Sequence, residues 1–331
     1  MTSPAADTVL EVQDLVTTFD TDAGRLTAVD GVSFTVRRGR TLGIVGESGC
    51  GKSVTALSIM RLLPQPMGRI ERGRILFDGL DLTTLPPDKM HRIRGGRIGM
   101  IFQEPMTALN PVHSIGRQLS EVFLLHRTKD KTEAWNRGTA MLRKVGIPAP
   151  EVRMREYPHQ LSGGMRQRVV IAMALACEPS VVIADEPTTA LDVTIQAQIL
   201  ELMQSLQRDM GLAIVLITHD LGVIAETCND VVVMYAGRVA ESGPVKDIFD
   251  RPSHPYTRGL LDSIPVLENP RKTRLRVIEG MVPGLSDLPP GCRFQNRCSF
   301  RVDRCATQPP LEIAEPGHET ACWRWRELPS R

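Results

Sequence analysis

Eight consecutive residues, Gly46-Glu47-Ser48-Gly49-Cys50-Gly51-Lys52-Ser53, satisfy the G-x-x-x-x-G-K-S spacing in full. Small residues let successive backbone amides converge on phosphate oxygens, and a helix that follows adds the positive end of its dipole. Lys52 is then placed to reach terminal phosphates and Ser53 to coordinate Mg²⁺. A second segment, Val181-Val182-Ile183-Ala184-Asp185-Glu186, ends an apolar run in two carboxylates. Acids at the C-terminal end of a parallel strand face the ligand crevice, which suits Asp185 to holding Mg²⁺ through water and Glu186 to polarising an attacking water. A third, Leu161-Ser162-Gly163-Gly164-Met165-Arg166-Gln167, precedes a run whose apolar positions include Val169, Ala172, Met173 and Ala176. Ser162 reads there as an N-cap, and the glycines permit close backbone approach, so this is another helix N-terminus suited to an anion. Taken singly, each segment also has a plain reading as a glycine turn, solvated loop acids or an ordinary cap. Together they point to Mg²⁺-dependent phosphate chemistry.

The elements around these residues have the order such chemistry needs. Thr41 to Val45 is an apolar run, and Ser53 to Leu63 has helical character, giving the strand, glycine loop and helix of a phosphate site. Val9 to Val36 alternates, as at Val29, Val32, Phe34 and Val36, and predicts short strands of an antiparallel edge layer broken at Gly24 and Gly31. Gly73 to Leu82 and Arg97 to Phe102 read as further strands. After Asn110-Pro111 the period turns helical, with Ile115, Leu119, Val122 and Phe123 on one face and Met141, Leu142 and Val145 on a later one. An all-helical insert is expected from about 111 to 158. Val181 to Ala184 and Ala213 to Thr218, separated by a helix from Val193 to Arg208, restore the alternation of a parallel α/β sheet. The expected fold is α/β, with a phosphate-loop core, an antiparallel layer, a helical subdomain and a small C-terminal extension.

With 331 residues, 42% of them hydrophobic, the chain can fill a core, which excludes disorder and small disulfide-stapled scaffolds. Forty Lys and Arg against 38 Asp and Glu leave +2, too balanced for a dedicated nucleic-acid binder. The longest apolar runs, such as Leu212 to Ile217, fall far short of the roughly 20 residues of a membrane span. The start carries Asp7, Glu11 and Asp14 and does not resemble a secretory signal, so a cytosolic location is expected. Four of the seven cysteines, Cys292, Cys298, Cys305 and Cys322, crowd into a tail punctuated by prolines that include Pro252, Pro265, Pro270, Pro289 and Pro310. A boundary is placed near residue 260, dividing 1–260 from 261–331. In a reducing cytosol clustered cysteines more often bind metal than form disulfides. Four thiolates satisfy either tetrahedral Zn²⁺ or a [4Fe–4S] cubane, and the Cys-x-x-Cys pairs typical of structural zinc are missing. Packed, unligated thiols are the plain alternative.

The segment from Leu161 to Gln167, between the phosphate loop and the acidic strand end, resembles the signature of ABC-type ATPases. The resemblance covers residues 9 to about 260. It implies that ATP is held by Gly46, Ser48, Gly49, Cys50, Gly51, Lys52, Ser53 and Val54 of one subunit and by Ser162, Gly163 and Gly164 of another. The chain would therefore pair with a second copy or a homologue. It implies further that Gln103, in Phe102-Gln103-Glu104-Pro105, touches Mg²⁺ and couples to a membrane partner. Asp192, in Ala190-Leu191-Asp192, would lie in a loop at the dimer interface, and His219 would contact the γ-phosphate. Phe19 resembles the aromatic residue that stacks on adenine, a role Phe can fill. Cys50 stands where Ser or Ala is expected. Backbone amides bind the phosphate, so the change is tolerated, while a thiol there is expected to make the loop sensitive to oxidation.

Arg251-Pro252-Ser253-His254-Pro255-Tyr256-Thr257 and the cysteine-bearing tail resemble the ATP-binding subunits of dipeptide and oligopeptide importers, with Trp323 where relatives often have His. This implies a peripheral ATPase at the cytoplasmic face of the cell membrane, serving two transmembrane permease subunits and, indirectly, an extracytoplasmic peptide-binding protein. It also points to iron–sulfur for the four cysteines. A soluble ABC ATPase acting on DNA or ribosomes is the alternative class. The stretch from Lys52 to Ser162 is too short for the long coiled-coil insert of DNA-repair members, and one chain with one phosphate loop lacks the doubled unit of translation factors. A metal-sensing regulator that merely keeps the fold is disfavoured by the intact Asp185, Glu186 and His219.

Overall fold

The computed structural model describes residues 7–22, 24–103, 108–189, 191–264 and 277–329. Glu104, Pro105, Ala190, Pro265 and Pro270 of the segments above lie outside these. Along the chain, β1 (Thr8–Thr21) and β2 (Gly24–Arg37) are two 14-residue strands where a series of short ones was expected. Gly31, at φ 75, sits inside β2 because glycine takes that conformation without a Cβ penalty. Next come β3 (Thr41–Val45), buried throughout, and α1 (Lys52–Met60), which stops before Leu63 because Arg61 adopts the left-handed conformation. The expected single strand from Gly73 to Leu82 is a hairpin of β4 (Gly68–Phe77) and β5 (Leu80–Asp81). Asp78 and Gly79, at φ 47 and 77, supply the two positive φ values that a tight primed turn requires.

The helix α2 (Pro87–Ile93) and strand β6 (Ile98–Ile101) lead into α3 (Ile115–His126), α4 (Lys131–Lys144) and α5 (Pro150–Arg153). The described residues between 111 and 158 thus form helices and turns, as the 3.6-residue period requires. The remaining elements are α6 (Gly163–Leu175), β7 (Val181–Asp185), α7 (Val193–Met210), β8 (Ala213–Thr218), α8 (Leu221–Thr227), β9 (Asp230–Tyr235), β10 (Arg238–Pro244), α9 (Val245–Asp250), α10 (Pro255–Asp262), β11 (Glu312–Glu315) and β12 (His318–Thr320).

These elements belong to two compact units. The first comprises Met1–Leu10, Val36–Arg40 and Thr84–Leu216. In it β6 and β7 pair in parallel from Ile98↔Val181 to Ile101↔Ala184, with β8 next to β7. The second comprises Glu11–Thr35, Thr41–Thr83 and Ile217–Arg331. It holds the β2-β1-β4-β5 sheet and a run of strands in the order β11-β12-β10-β9-β3. There β3 pairs in parallel with β9, whereas β10 is antiparallel to both β9 and β12. The tail strands β11 and β12 therefore extend the same sheet that delivers the phosphate loop. Val45, Val233, Tyr235, Tyr256, Ile248 and Phe294 share one buried core beneath that loop.

Candidate functional site

In the second unit the chain leaves β3 at Gly46, where φ is 153 and a Cβ would come 2.2 Å from the Met234 carbonyl oxygen. Gly51 precedes α1 in the left-handed region at φ 98, and a Cβ there would come 2.7 Å from the Ala28 carbonyl oxygen. Only glycine serves at either place. No side chain caps α1, so its N-terminus offers backbone amides and the positive dipole end to an anion. Lys52 is buried, and its ammonium donates to the carbonyls of Gly46 (2.8 Å) and Glu47 (3.2 Å). Ser48 and Gly49 are exposed on the rim, while Ser53 and Val54 are half-buried at the start of the helix. Cys50 is fully buried, and burial pushes its thiol above the ordinary range. It packs as a small apolar side chain, and burial opposes the thiolate form on which oxidation of this loop would depend.

Two residues that the sequence reading gave no role hold the outer edge of the loop. Glu47 donates its backbone N–H to the hydroxyl of Tyr256 at 2.8 Å, and its carboxylate is paired with Arg297 at 2.7 and 3.0 Å. Tyr256 lies in the segment from Arg251 to Thr257, whose likeness to peptide importers was the available signal. Arg297 had none beyond its place before Cys298. In the same unit His219 is exposed just after β8, and Asp220 caps α8 through the amides of Gly222 and Val223. Phe19 is half-buried against β4, where a Cβ on Gly68 would come 2.8 Å from its Cε1.

In the first unit Asp185 is buried at the end of β7, and Glu186 follows with φ 48. A non-glycine residue in that region stores about 1–3 kcal/mol, a cost typical of functional positions. One oxygen of Glu186, Oε2, accepts from Gln103 Nε2 at 3.2 Å and from Thr189 Oγ1 at 2.9 Å. The fold thus brings together Gln103 and Glu186, which lie far apart in the chain. Ser162 caps α6 by accepting from the Met165 amide at 3.4 Å. Gly164 lies close to α7, since a Cβ there would come 3.0 Å from Ile195 Cγ2, whereas Gly163 is open to within 3.9 Å of Leu191. Asp192 caps α7 through the Ile195 amide at 2.9 Å. Gln167, fully buried, donates to the Pro187 carbonyl and ties α6 to the residues after Glu186, a link the sequence did not disclose.

Comparison with known proteins decides the family. The description "ABC transporter" matches residues 29–189, and "Oligopeptide/dipeptide transporter, C-terminal region" matches residues 240–305. The dipeptide transport ATP-binding protein DppD of Bacillus subtilis is 53% identical over 316 residues, covering 95% of this chain and 94% of its own. A probable peptide ABC transporter ATP-binding protein, y4tR of Sinorhizobium fredii, is 52% identical over 98% of both chains. The chain belongs to the ATP-binding subunits of ABC peptide transporters. Among solved structures, the dimeric, post-hydrolysis ATP-binding cassette MJ0796 bound to ADP and Pi is 26% identical at a TM-score of 0.63. That likeness covers 71% of this chain and 98% of the other. No helix of this ABC subunit is long and apolar enough to cross a membrane among the described residues.

The cysteine tail of this ABC subunit is arranged differently from expectation. Cys292, Cys298, Cys305 and Cys322 all line one small cavity, together with His254, Phe294 and Trp323. Burial pushes Cys298 up to about 11 and Cys322 up to about 12, and raises Cys292 as well. Yet among the described residues no group of three or more His, Cys, Asp or Glu side chains is disposed to hold a metal ion. The thiols share a cavity without forming the ligand set expected for [4Fe–4S] or Zn²⁺.

Proposed function

We propose that this chain is the ATP-hydrolysing subunit that powers import of dipeptides or oligopeptides, with ATP sandwiched between two such subunits. The observation that carries the reading is a phosphate loop folded as an anion cradle in a chain that aligns with DppD over 95% of its length. Residues 1–260 form the cassette in this reading and 261–331 the peptide-importer extension. Two permease subunits and an extracytoplasmic peptide-binding protein complete the transporter, and the chain works peripherally at the cytoplasmic face of the membrane. No nucleic acid takes part.

Lys52 exchanges its loop carbonyls for phosphate oxygens and holds the charge that develops in the transition state. Ser53, Gln103 and Asp185 offer hydroxyl, amide and carboxylate oxygens, a hard donor set suited to Mg²⁺, which neutralises phosphate charge when bound. Glu186 takes the proton of the attacking water, and His219 contacts the γ-phosphate. Ser162, Gly163 and Gly164 at the start of α6 serve the nucleotide of the partner subunit, with Asp192 at that interface and Phe19 against adenine. The test is ATP-dependent uptake into vesicles holding the reconstituted transporter. Uptake of di- or oligopeptides is expected, and uptake of another solute such as nickel without peptide would overturn the substrate assignment.

For the tail we propose that the four thiols, which line one cavity but do not stand as a ligand set in this structure, would draw together around a bound centre, [4Fe–4S] or alternatively Zn²⁺. Such a centre supplies folding free energy to a segment poor in apolar residues. Anaerobic metal analysis is expected to give about four iron and four sulfide per chain. Stoichiometric zinc would replace the cluster, and neither metal would leave packed thiols.

A further inference from the structure

The guanidinium of Arg297 has five N–H donors, and each has a partner. Nη1 and Nη2 reach the two carboxylate oxygens of Glu47 at 2.7 and 3.0 Å. The second proton of Nη1 goes to the Tyr235 hydroxyl at 3.4 Å, and that of Nη2 to the Ile278 carbonyl at 3.2 Å. Nε donates to the Glu279 carbonyl at 2.9 Å. The side chain is only 5% exposed and stands over the Tyr235 ring at 5.8 Å. A fork so fully engaged fixes whatever it grips, and charge-assisted bidentate pairing is the stronger class of such bonds.

What it grips is the phosphate loop. Glu47 is anchored by its carboxylate on Arg297 and by its amide on Tyr256, and its carbonyl accepts from both the Lys52 ammonium and the Cys50 amide. Tyr256 and Tyr235 are themselves locked edge-on at 4.7 Å, with Phe294 against both. From this chain of contacts we propose that Arg297 is a positioning residue for nucleotide binding: through Glu47 it sets the shape of the phosphate loop and the rest position of Lys52. The C-terminal region is then a working part of the nucleotide site, and affinity depends on a residue that never touches the nucleotide. Preorganisation of this kind raises affinity by removing an ordering cost from the binding step.

The proposal rests on the reading of the loop as the nucleotide site, and the experiment separates the two. Mg²⁺-ATP is titrated into the full chain for wild type, Arg297→Lys, Arg297→Ala, Glu47→Ala, the double Ala variant and Lys52→Ala, with urea unfolding alongside. Arg297→Lys keeps the charge and loses the fork. It is expected to weaken ATP about 10-fold, equivalent to about 1.4 kcal/mol, with a near-normal unfolding midpoint. Arg297→Ala is expected to add nothing once Glu47 is Ala, because the two act as one unit. Folded Arg297→Lys protein with wild-type affinity overturns the proposal, as does strict additivity of the Ala variants. Should Arg297→Ala fail to fold, Arg297→Lys and Glu47→Ala still decide. Retained affinity in Lys52→Ala would instead remove the loop as the nucleotide site.

Discussion

Replacing Glu186 by Gln separates charge from shape unusually well. Two hydrogen bonds to this side chain, from Gln103 Nε2 at 3.2 Å and Thr189 Oγ1 at 2.9 Å, end on the same oxygen, Oε2. A glutamine amide turned with its oxygen in that place keeps both. The backbone at φ 48 carries a similar cost for either residue, so the ground-state structure should change by no more than about 0.5 kcal/mol. The basicity of the group is lost outright. Removing a general base costs about 10²- to 10⁴-fold in rate, or about 2.7–5.4 kcal/mol in the barrier, several times the structural effect. Phosphate release by the reconstituted transporter should fall by that factor, while ATP titration and urea unfolding stay near wild type and the nucleotide-bound dimer accumulates. Turnover within threefold of wild type would show that Glu186 is not the base. A parallel loss of ATP affinity would show that it acts through binding instead.

Gly46→Ala puts a Cβ 2.2 Å from the Met234 carbonyl, a backbone atom that cannot step aside, so urea unfolding should show a loss of about 1–3 kcal/mol and ATP affinity should drop more than tenfold. His254 accepts the Tyr256 amide on Nδ1, and burial lowers it from 6.5 to about 4. The unfolded chain therefore takes up this proton first. Stability is full above about pH 6.5 and is lost as pH falls towards 4, by about 3 kcal/mol across that window. His254→Asn, which can still cap α10, should flatten the dependence in urea titrations at several pH values. Ser162→Arg should abolish turnover in the assembled transporter and leave ATP affinity of the isolated chain within twofold, because the bulk blocks only the nucleotide of the facing subunit. Full-rate hydrolysis by isolated subunits carrying this change would remove the sandwich.

The phosphate loop was legible because everything it needs is contiguous: the strand, the glycines with positive φ and the uncapped helix start lie within twenty residues of sequence. Asp185 and Glu186 were legible for the same reason, as the end of an apolar run. The pairing of Gln103 with Glu186 was not, because nothing local to either residue says that β6 lies beside β7; only the family resemblance brought Gln103 into consideration. Asp192 shows how a functional expectation and a structural duty coexist, since its carboxylate caps α7 whatever else it meets. Of the fold, the α/β alternation and the helical insert could be read from period alone. The β4–β5 hairpin was disguised because apolar residues flank its Asp78-Gly79 turn, and the run from Val231 to Tyr235, to which no element was assigned from sequence, is strand β9 between β3 and β10.

The tail resisted sequence reading for a different physical reason. Proline density and sparse apolar residues make 261–331 look like a separate appendage, yet β12 pairs with β10, and the fixing group is a carboxylate in the middle of that strand. Glu241 is fully buried and accepts from the amides of Ser253 and His254 and, at 2.7 Å, from His318 Nε2. A buried carboxylate is tolerable only when its lone pairs are filled, so these three donors must stay together for β10 to remain where it is. One donor pair comes from the residues that open α10, and the third from the tail strand. The same short segment, His254-Pro255-Tyr256, then delivers the hydroxyl that holds Glu47 of the phosphate loop. A polar residue in a strand reads in one dimension as a solvent-facing position. Here it fastens the tail to the sheet, and the sheet brings Tyr256 to the phosphate loop.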